Sequence, residues 1–218
     1  MCIRDRVVGA GISGILAAKN AAKNNFKTLL VDEKNELGGS TIFENNEFNK
    51  IDNKTPSEWL KKEIEKLKGI KNLEIKTRTS VAAYHQYNYL LARENLTDHL
   101  EAKDKTNKIR QRLLKIRAKK VILATGALER PLIFNNNDRP GIMLSSAIKK
   151  YSEFYGVACG SKNVFFTNND SAYESALSLH NKGIKVEAII DIRENSDAKI
   201  IKKINDAGIK IYLSLIHI

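Results

Sequence analysis

The sequence is short of the groups from which most catalytic centres are assembled. It holds two cysteines, Cys2 and Cys159, far apart and without a C-x-x-C. A dithiol redox centre within this chain is thereby excluded, and a disulfide framework is disfavoured. Cys159 beside Gly160 reads as a small buried hydrophobe rather than a reactive thiol. The four histidines, His85, His99, His180 and His217, have no partner at a metal-ligand spacing and read as satisfied or solvated side chains. No nucleophile–base pair or carboxylate dyad stands out, so no catalytic residue and no metal ligand is named. No apolar run approaches the roughly 20 residues of a membrane span, and no leader pattern is present, which makes a cytoplasmic location the default.

What is present describes an ordinary globular protein, 42% hydrophobic and 28% charged over 218 residues. The net charge of +12 invites a nucleic-acid reading. The lysines are spread through the chain beside Asn and Glu, however, and no basic block is interleaved with aromatics. Neither nucleic acid nor membrane is expected as a partner; the charge suits an acidic partner subunit or an anionic cofactor.

The chain is organised around Val7-Val8-Gly9-Ala10-Gly11-Ile12-Ser13-Gly14, which runs into Ile15-Leu16-Ala17-Ala18. Two β-branched residues enter a G-x-G-x-x-G turn, and helix formers leave it. Gly9 takes the tight turn, Gly11 lets main chain approach a pyrophosphate, and Gly14 lets helix pack on strand. The helix start offers unpaired N–H groups and a positive dipole end to the anion. A lone G-x-G-x-x-G is weak, so its context decides. Phe26–Val31 reads as the next parallel strand and ends in Asp32-Glu33. Asp32 follows Gly11 by 32 − 11 = 21 residues, against roughly 20 for the acid that holds a ribose hydroxyl. Such an acid favours a free ribose diol, hence NAD or the adenosine half of FAD, over a 2′-phosphate. Lys34 beside it weakens that exclusion.

Further along, Leu37-Gly38-Gly39-Ser40-Thr41 suits a loop passing near the ribose or pyrophosphate, or a plain loop. Thr55-Pro56-Ser57-Glu58 is a capping box with proline at the first helical position. Trp59, Leu60, Ile64 and Leu67 mark one apolar helix face, with Trp59 in the core, and Gly69 suits the helix end. Residues 73–81 read as the third parallel strand, with Val81 near the adenine. Residues 87–93 and 111–117 read as antiparallel strands of a meander inserted over about 84–118. Residues 120–127 return as a buried strand ending in Ala124-Thr125-Gly126, a second glycine turn that brings main chain toward the first.

Beyond Pro131 a linker leads to a helix over 145–155. Residues 162–191 then repeat strand, turn, helix and strand, with Asn168-Asn169-Asp170 where glycines would stand. Without glycine the backbone cannot approach a pyrophosphate as closely, so this half-domain is expected to have lost its phosphate site. A further helix and strand follow over 198–212.

Together these residues resemble the two-dinucleotide-binding flavoprotein superfamily. Asn137-Asp138-Arg139-Pro140-Gly141-Ile142-Met143 and Phe165-Phe166-Thr167-Asn168-Asn169-Asp170-Ser171-Ala172-Tyr173 are similar, more narrowly, to the alpha subunits of heterotetrameric sarcosine oxidases. The likeness runs from Val7 to about Ile192. It implies the NAD-binding portion of an oxidoreductase subunit, with Ser13, Asp32, Glu33, Lys34, Ser40 and Val81 at the family's NAD contacts. It also implies partner subunits of a hetero-oligomeric flavoenzyme, sarcosine as substrate, and a folate domain that this chain does not contain. The ends, Met1–Arg6 and Leu213–Ile218, resemble translated adapter sequence, so a fragment with a partial site is expected.

The expected fold is α/β: a Rossmann-like parallel sheet with a small antiparallel meander, then part of a second Rossmann-like domain. Residues 1–134 form the first domain, 135–160 a linker and helix, and 161–218 the partial second domain. The expected cofactor contacts are Gly9, Ala10, Gly11, Ser13, Gly14, Asp32, Glu33, Lys34, Gly39, Ser40, Val81, Ala124, Thr125 and Gly126. The alternatives are FAD in the same cleft of an opine, amine or cyanide-forming dehydrogenase, and a non-catalytic scaffold with a vestigial site.

Overall fold

The computed structural model describes residues 5–44 and 50–214. Residues 1–4 and 215–218, most of the adapter-like ends, lie outside them. Two compact units are present, Met1–Ala127 and Leu128–Ile218.

In the first unit a parallel sheet has the order β3-β2-β1-β7. Its strands are β1 (Asp5–Val8), β2 (Thr28–Val31), β3 (Leu73–Lys76) and β7 (Val121–Leu123). Helix α1 (Ile12–Lys23) connects β1 to β2, and α2 (Pro56–Lys68) lies between β2 and β3. Side chains alternate across a strand, and the cores follow that rule. Val7 and Leu30 pack with Ala10 and Ala18 on the helical side. Val8, Leu29 and Val31 pack with Leu90, Ala92 and Ile116 of an antiparallel sheet on the other. Both faces of the sheet are thus covered at Val7 and Val8 of β1 and at Leu29, Leu30 and Val31 of β2, where the strands are apolar.

Helix α2 starts as its sequence demands. The Thr55 side chain accepts from the Glu58 N–H, the Glu58 carboxylate answers the Thr55 N–H, and Pro56 is the first helical residue. Trp59 is buried with Ile15, Leu60 and Leu67, and its indole N–H donates to Asp52 at 3.1 Å. Glu63, buried between the helices, is ion-paired to Lys19 of α1 and Lys66 of α2.

Four expectations need correction. Residues 73–81 are two strands, because Arg78 takes a left-handed φ of 49° and breaks the run. β3 ends at Lys76 in the parallel sheet, and β4 (Thr79–His85) opens the antiparallel one. The meander therefore has three strands, in the order β4-β5-β6 with β5 (Tyr89–Asn95) and β6 (Gln111–Arg117), and Tyr87 falls in the turn at φ 60°. β7 is an edge strand whose Ile122 and Leu123 are exposed, rather than a buried one. β2 also begins two residues late, with Phe26 exposed outside it.

The second unit holds a parallel sheet of order β10-β9-β8, made of β8 (Asn163–Thr167), β9 (Val186–Asp191) and β10 (Lys210–Leu213). Helices α4 (Ser145–Tyr155), α5 (Ser171–Asn181) and α6 (Ala198–Asp206) belong to it; a single turn, α3 (Ala102–Lys105), lies in the first unit. Tyr173, Leu179, Ile189 and Ile204 are fully buried at its centre, and Cys159 packs half-buried against them. The fold is the mixed α/β architecture expected: a parallel sheet, a separate antiparallel one, and a second parallel unit.

Candidate functional site

The β1–α1 turn is built by what its glycines exclude. A Cβ on Gly9 would collide with the Ala124 carbonyl, and one on Gly14 with the Gly9 carbonyl. Gly9 also holds φ 95°, where a side chain is strained. Around Gly11, by contrast, nothing lies within 4 Å of the position a Cβ would take. Two glycines are thus required by protein packing, while the third leaves open space. Helix α1 begins directly beyond it with no side-chain cap and no acidic residue in its first turn. The first N–H groups of a helix lack intrahelical partners, so this end can receive an anion.

Asp32, at the end of β2, reaches this turn. Its Oδ2 accepts from the Ala10 N–H at 2.6 Å, and its Oδ1 from the Lys34 N–H at 2.8 Å. The carboxylate braces the glycine turn through these two main-chain hydrogen bonds. The loop after β2 closes onto the same turn. Gly38 donates its N–H to the Ala10 carbonyl at 2.7 Å, and a Cβ on Gly39 would lie 3.1 Å from the Gly11 Cα. The Gly38-Gly39 loop thus packs directly on the glycine turn.

From the third side comes the segment after β7. The Ala124 N–H donates to the Val8 carbonyl at 2.7 Å, with Thr125 beside Gly9. Gly126 takes φ 74° with open space around it. Gly9, Ala10, Gly11, Gly14, Asp32, Gly39, Ala124 and Thr125 are therefore one cluster, knitted by main chain from four segments. Ser13, Glu33, Lys34 and Ser40 are exposed around it. Val81 is the exception: its side chain packs into the core between the sheets, which leaves only its backbone for a ligand.

Sequence reasoning overlooked Arg78 and Arg93. They line a polar cavity of about 440 Å³ with Glu33, Lys34, Ser80 and Asn95. The outward alternation of Arg93 in β5 was the available signal; the left-handed turn at Arg78 left none.

The corresponding turn of the second unit, between β8 and α5, answers its own polar groups. The Asn169 Oδ1 accepts from the Ser171 N–H at 3.1 Å and from its hydroxyl at 2.6 Å. Asp191, fully buried at the end of β9, accepts from the Tyr173 hydroxyl at 2.9 Å and from the Arg193 guanidinium at 2.7 Å. Arg193 also reaches Asp170 of the turn at 2.6 Å. Burial pushes the Asp191 carboxyl up, but its hydrogen bonds to Arg193 outweigh that and hold it below the usual carboxylate range. Burial and the neighbouring carboxylate push the Tyr173 hydroxyl up to about 12.

No group of three or more His, Cys, Asp or Glu able to hold a metal occurs among the described residues. No described helix is long and apolar enough to cross a membrane.

A glycine turn at the first crossover, a braced acid one strand away and a second glycine turn beside them define a dinucleotide-binding protein of the Rossmann-like class. The chain belongs to the pyridine nucleotide-disulphide oxidoreductase family, which matches residues 6–190. It is 38% identical over 205 residues to the sarcosine oxidase subunit alpha of Corynebacterium sp. strain P-1, covering 94% of this chain and 21% of that protein. To the subunit of the same name from Rhizobium meliloti it is 36% identical, over 86% of this chain and 18% of that one. It thus spans about a fifth of the length of these relatives. Among solved structures, L-proline dehydrogenase from P. horikoshii superposes with a TM-score of 0.69 at 26% identity, over 87% of this chain and 35% of that one. Lactococcus lactis thioredoxin reductase shares the fold, with a TM-score of 0.65 at 20% identity over 97% and 64% of the two chains.

Proposed function

We propose that the first unit is the NAD-binding part of an oxidoreductase subunit of the sarcosine oxidase alpha kind. The observation that carries this reading is the open space above Gly11 at an uncapped helix start, with packing filling the space above Gly9 and Gly14. The pyrophosphate lies against main chain from Gly9 to Gly14, with Ser13 and Ser40 beside it. Asp32 and Glu33 take the adenosine ribose, the backbone at Val81 meets the adenine, and Ala124-Thr125-Gly126 borders the crevice. The dinucleotide supplies hydride transfer; the residues of this chain bind and orient it, and none is assigned to chemistry. Oxidation of sarcosine then belongs to the whole enzyme in the cytoplasm, carried out with flavin-bearing partner subunits, and this stretch alone is inactive. The relatives' names and the family match support that assignment. The domains follow the same proposal, with residues 1–134 as the nucleotide domain, 135–160 as linker and helix, and 161–218 as a second half-domain without its own phosphate site.

The test is calorimetric titration of NAD into the full-length subunit and its Asp32→Ala form. A clear loss of affinity in the variant is expected, since both ribose contact and turn brace go. Equal affinity removes Asp32 from the site. A tightly held flavin would make the purified protein yellow and transfer the crevice to FAD. If neither nucleotide raises the melting temperature, the scaffold reading wins, because a ligand of the native state must stabilise it.

A further inference from the structure

The antiparallel sheet of the first unit turns one face to the core, through Leu90, Ala92 and Ile116. Side chains alternate across a strand, so the residues between these make up the outer face. There the β5–β6 register sets Arg93 opposite Leu113, Leu91 opposite Lys115, and Tyr89 opposite Arg117. The β4 neighbours in the same rows, Ser80, Ala83 and His85, add no carboxylate. Nine positions thus carry a formal charge of +3, where an even spread of +12 over 218 residues would place about half a charge.

The sheet makes no use of these charges itself. Arg93, Lys115 and Arg117 are exposed, and among the described residues none of the three is ion-paired. Opposite charges set across strands would stabilise the sheet, yet each cation faces an apolar or aromatic residue instead. The nearest carboxylate on β5, Glu94, is buried on the other face, with Lys76 at 2.6 Å and Arg112 at 3.5 Å. Between the cations Leu113 is 62% exposed, while Tyr89 and Leu91 are half-buried. The Arg117 guanidinium lies over the Tyr89 ring, 5.5 Å from its centre.

We infer that the outer face of the β4-β5-β6 sheet docks an acidic surface of a partner subunit. The inference rests on the proposed hetero-oligomeric assembly and deepens it, by locating one of its surfaces. Two guanidiniums offer planar forks to carboxylates, and the leucines between them suit a protein surface that excludes water as it seats. A single-stranded nucleic acid needs open aromatic platforms, whereas Tyr89 is already covered by Arg117. Seven-residue strands at about 3.4 Å per residue, spaced about 4.8 Å apart, make the face roughly 24 Å by 14 Å. That is below the about 800 Å² that one partner usually contributes. The face is therefore one part of an interface, and its charge acts chiefly on the rate and register of association.

The experiment is surface plasmon resonance of the full-length subunit on its partner subunits, separated from the purified assembly, at low and high salt. Lys115→Glu with Arg117→Glu should slow association about tenfold at low salt and remove most of its salt dependence. Lys115→Gln with Arg117→Gln should act in the same direction and less strongly, and Leu113→Ser should speed dissociation severalfold. Lys61→Glu with Lys71→Glu changes the net charge equally at two exposed positions outside the sheet and should leave the rate near the parent's. An equal slowing in that control, or an unchanged rate in the Lys115/Arg117 variants, overturns the inference. So does binding of single-stranded RNA or of phosphatidylserine vesicles that those variants abolish while subunit association is unchanged. The affinity for NAD should stay at the parent's value in every variant, so loss of docking and loss of the nucleotide reading are separate results. No association by the parent subunit removes this inference together with the proposed assembly.

Discussion

The β1–α1 and β8–α5 turns begin from the same plan and end in opposite states. Each leaves a parallel strand, enters a helix, and is followed by a strand with an aspartate at its end, Asp32 just past β2 and Asp191 last in β9. In the first, glycines strip the turn of side chains, so the helix start has no side-chain cap. In the second, Asn169 answers the turn from within, while Asp170 and Asp191 share Arg193. A crossover turn is therefore not a binding site by topology. It becomes one where the chain withholds the groups that would otherwise satisfy its N–H donors.

The largest effect should come from reopening the closed turn. Arg193→Met leaves Asp191, which has no exposed surface, without its cation. Removing one partner of a buried pair costs about 3–5 kcal/mol, measurable by urea unfolding, and nucleotide binding should not appear in its place. The network also has a pH signature. The Tyr173 hydroxyl is raised from 10.0 to about 12 in the fold. The stability it contributes is complete below pH 10 and lost as pH rises toward 12. Asp191 is shifted the other way, so its contribution is present above the ordinary carboxylate range and lost as pH falls below it. The Arg193→Met form should show a flatter acid limb.

Next in size is Gly14→Ala, whose methyl runs into the Gly9 carbonyl. Backbone cannot yield as a side-chain tip does, so a loss near about 3 kcal/mol is expected, the upper part of the overpacking range. A mild change in melting temperature would mean that α1 is free to shift off β1. Gly11→Val sharpens the comparison from the other side. The added Cβ meets nothing within 4 Å, so stability should stay nearly unchanged while dinucleotide affinity falls about a hundredfold, or roughly 2.7 kcal/mol. Unchanged affinity would remove the pyrophosphate from this turn.

The open turn was legible in the sequence because glycine is informative twice, through the conformation it permits and through the side chain it lacks. Gly9 and Gly14 are demanded by packing while Gly11 faces open space, the division that the order of the three glycines implies. The capping box at Thr55 was equally readable, since its partners lie three residues apart. What escaped depended on tertiary partners. Residues 73–81 alternate in part and carry no glycine or proline to mark a break, and only the left-handed turn at Arg78 divides them between two sheets. Arg78 and Arg93 line one cavity because β4 and β5 pair in one register, which brings together positions 15 apart (93 − 78 = 15) that no local pattern connects.

The smallest effect isolates one end of the second unit. Helix α4 opens at Leu144 with no cap of its own. Glu129 reaches it from 16 residues upstream, accepting from the Ser145 N–H at 3.0 Å and the Ser146 N–H at 2.8 Å. Burial raises the Glu129 carboxyl, but these hydrogen bonds outweigh it and hold the group below its usual range. A depressed carboxylate stabilises above its unfolded pKa and stops doing so as pH falls through the folded one. Glu129→Gln should therefore cost about 1 kcal/mol at neutral pH, as loss of a helix cap does. The difference from the parent should vanish in acid, where the parent's carboxyl is protonated too. A gap that persists in acid would mean that Glu129 acts through packing and that the charge at this helix start, unlike the anion proposed for α1, contributes nothing.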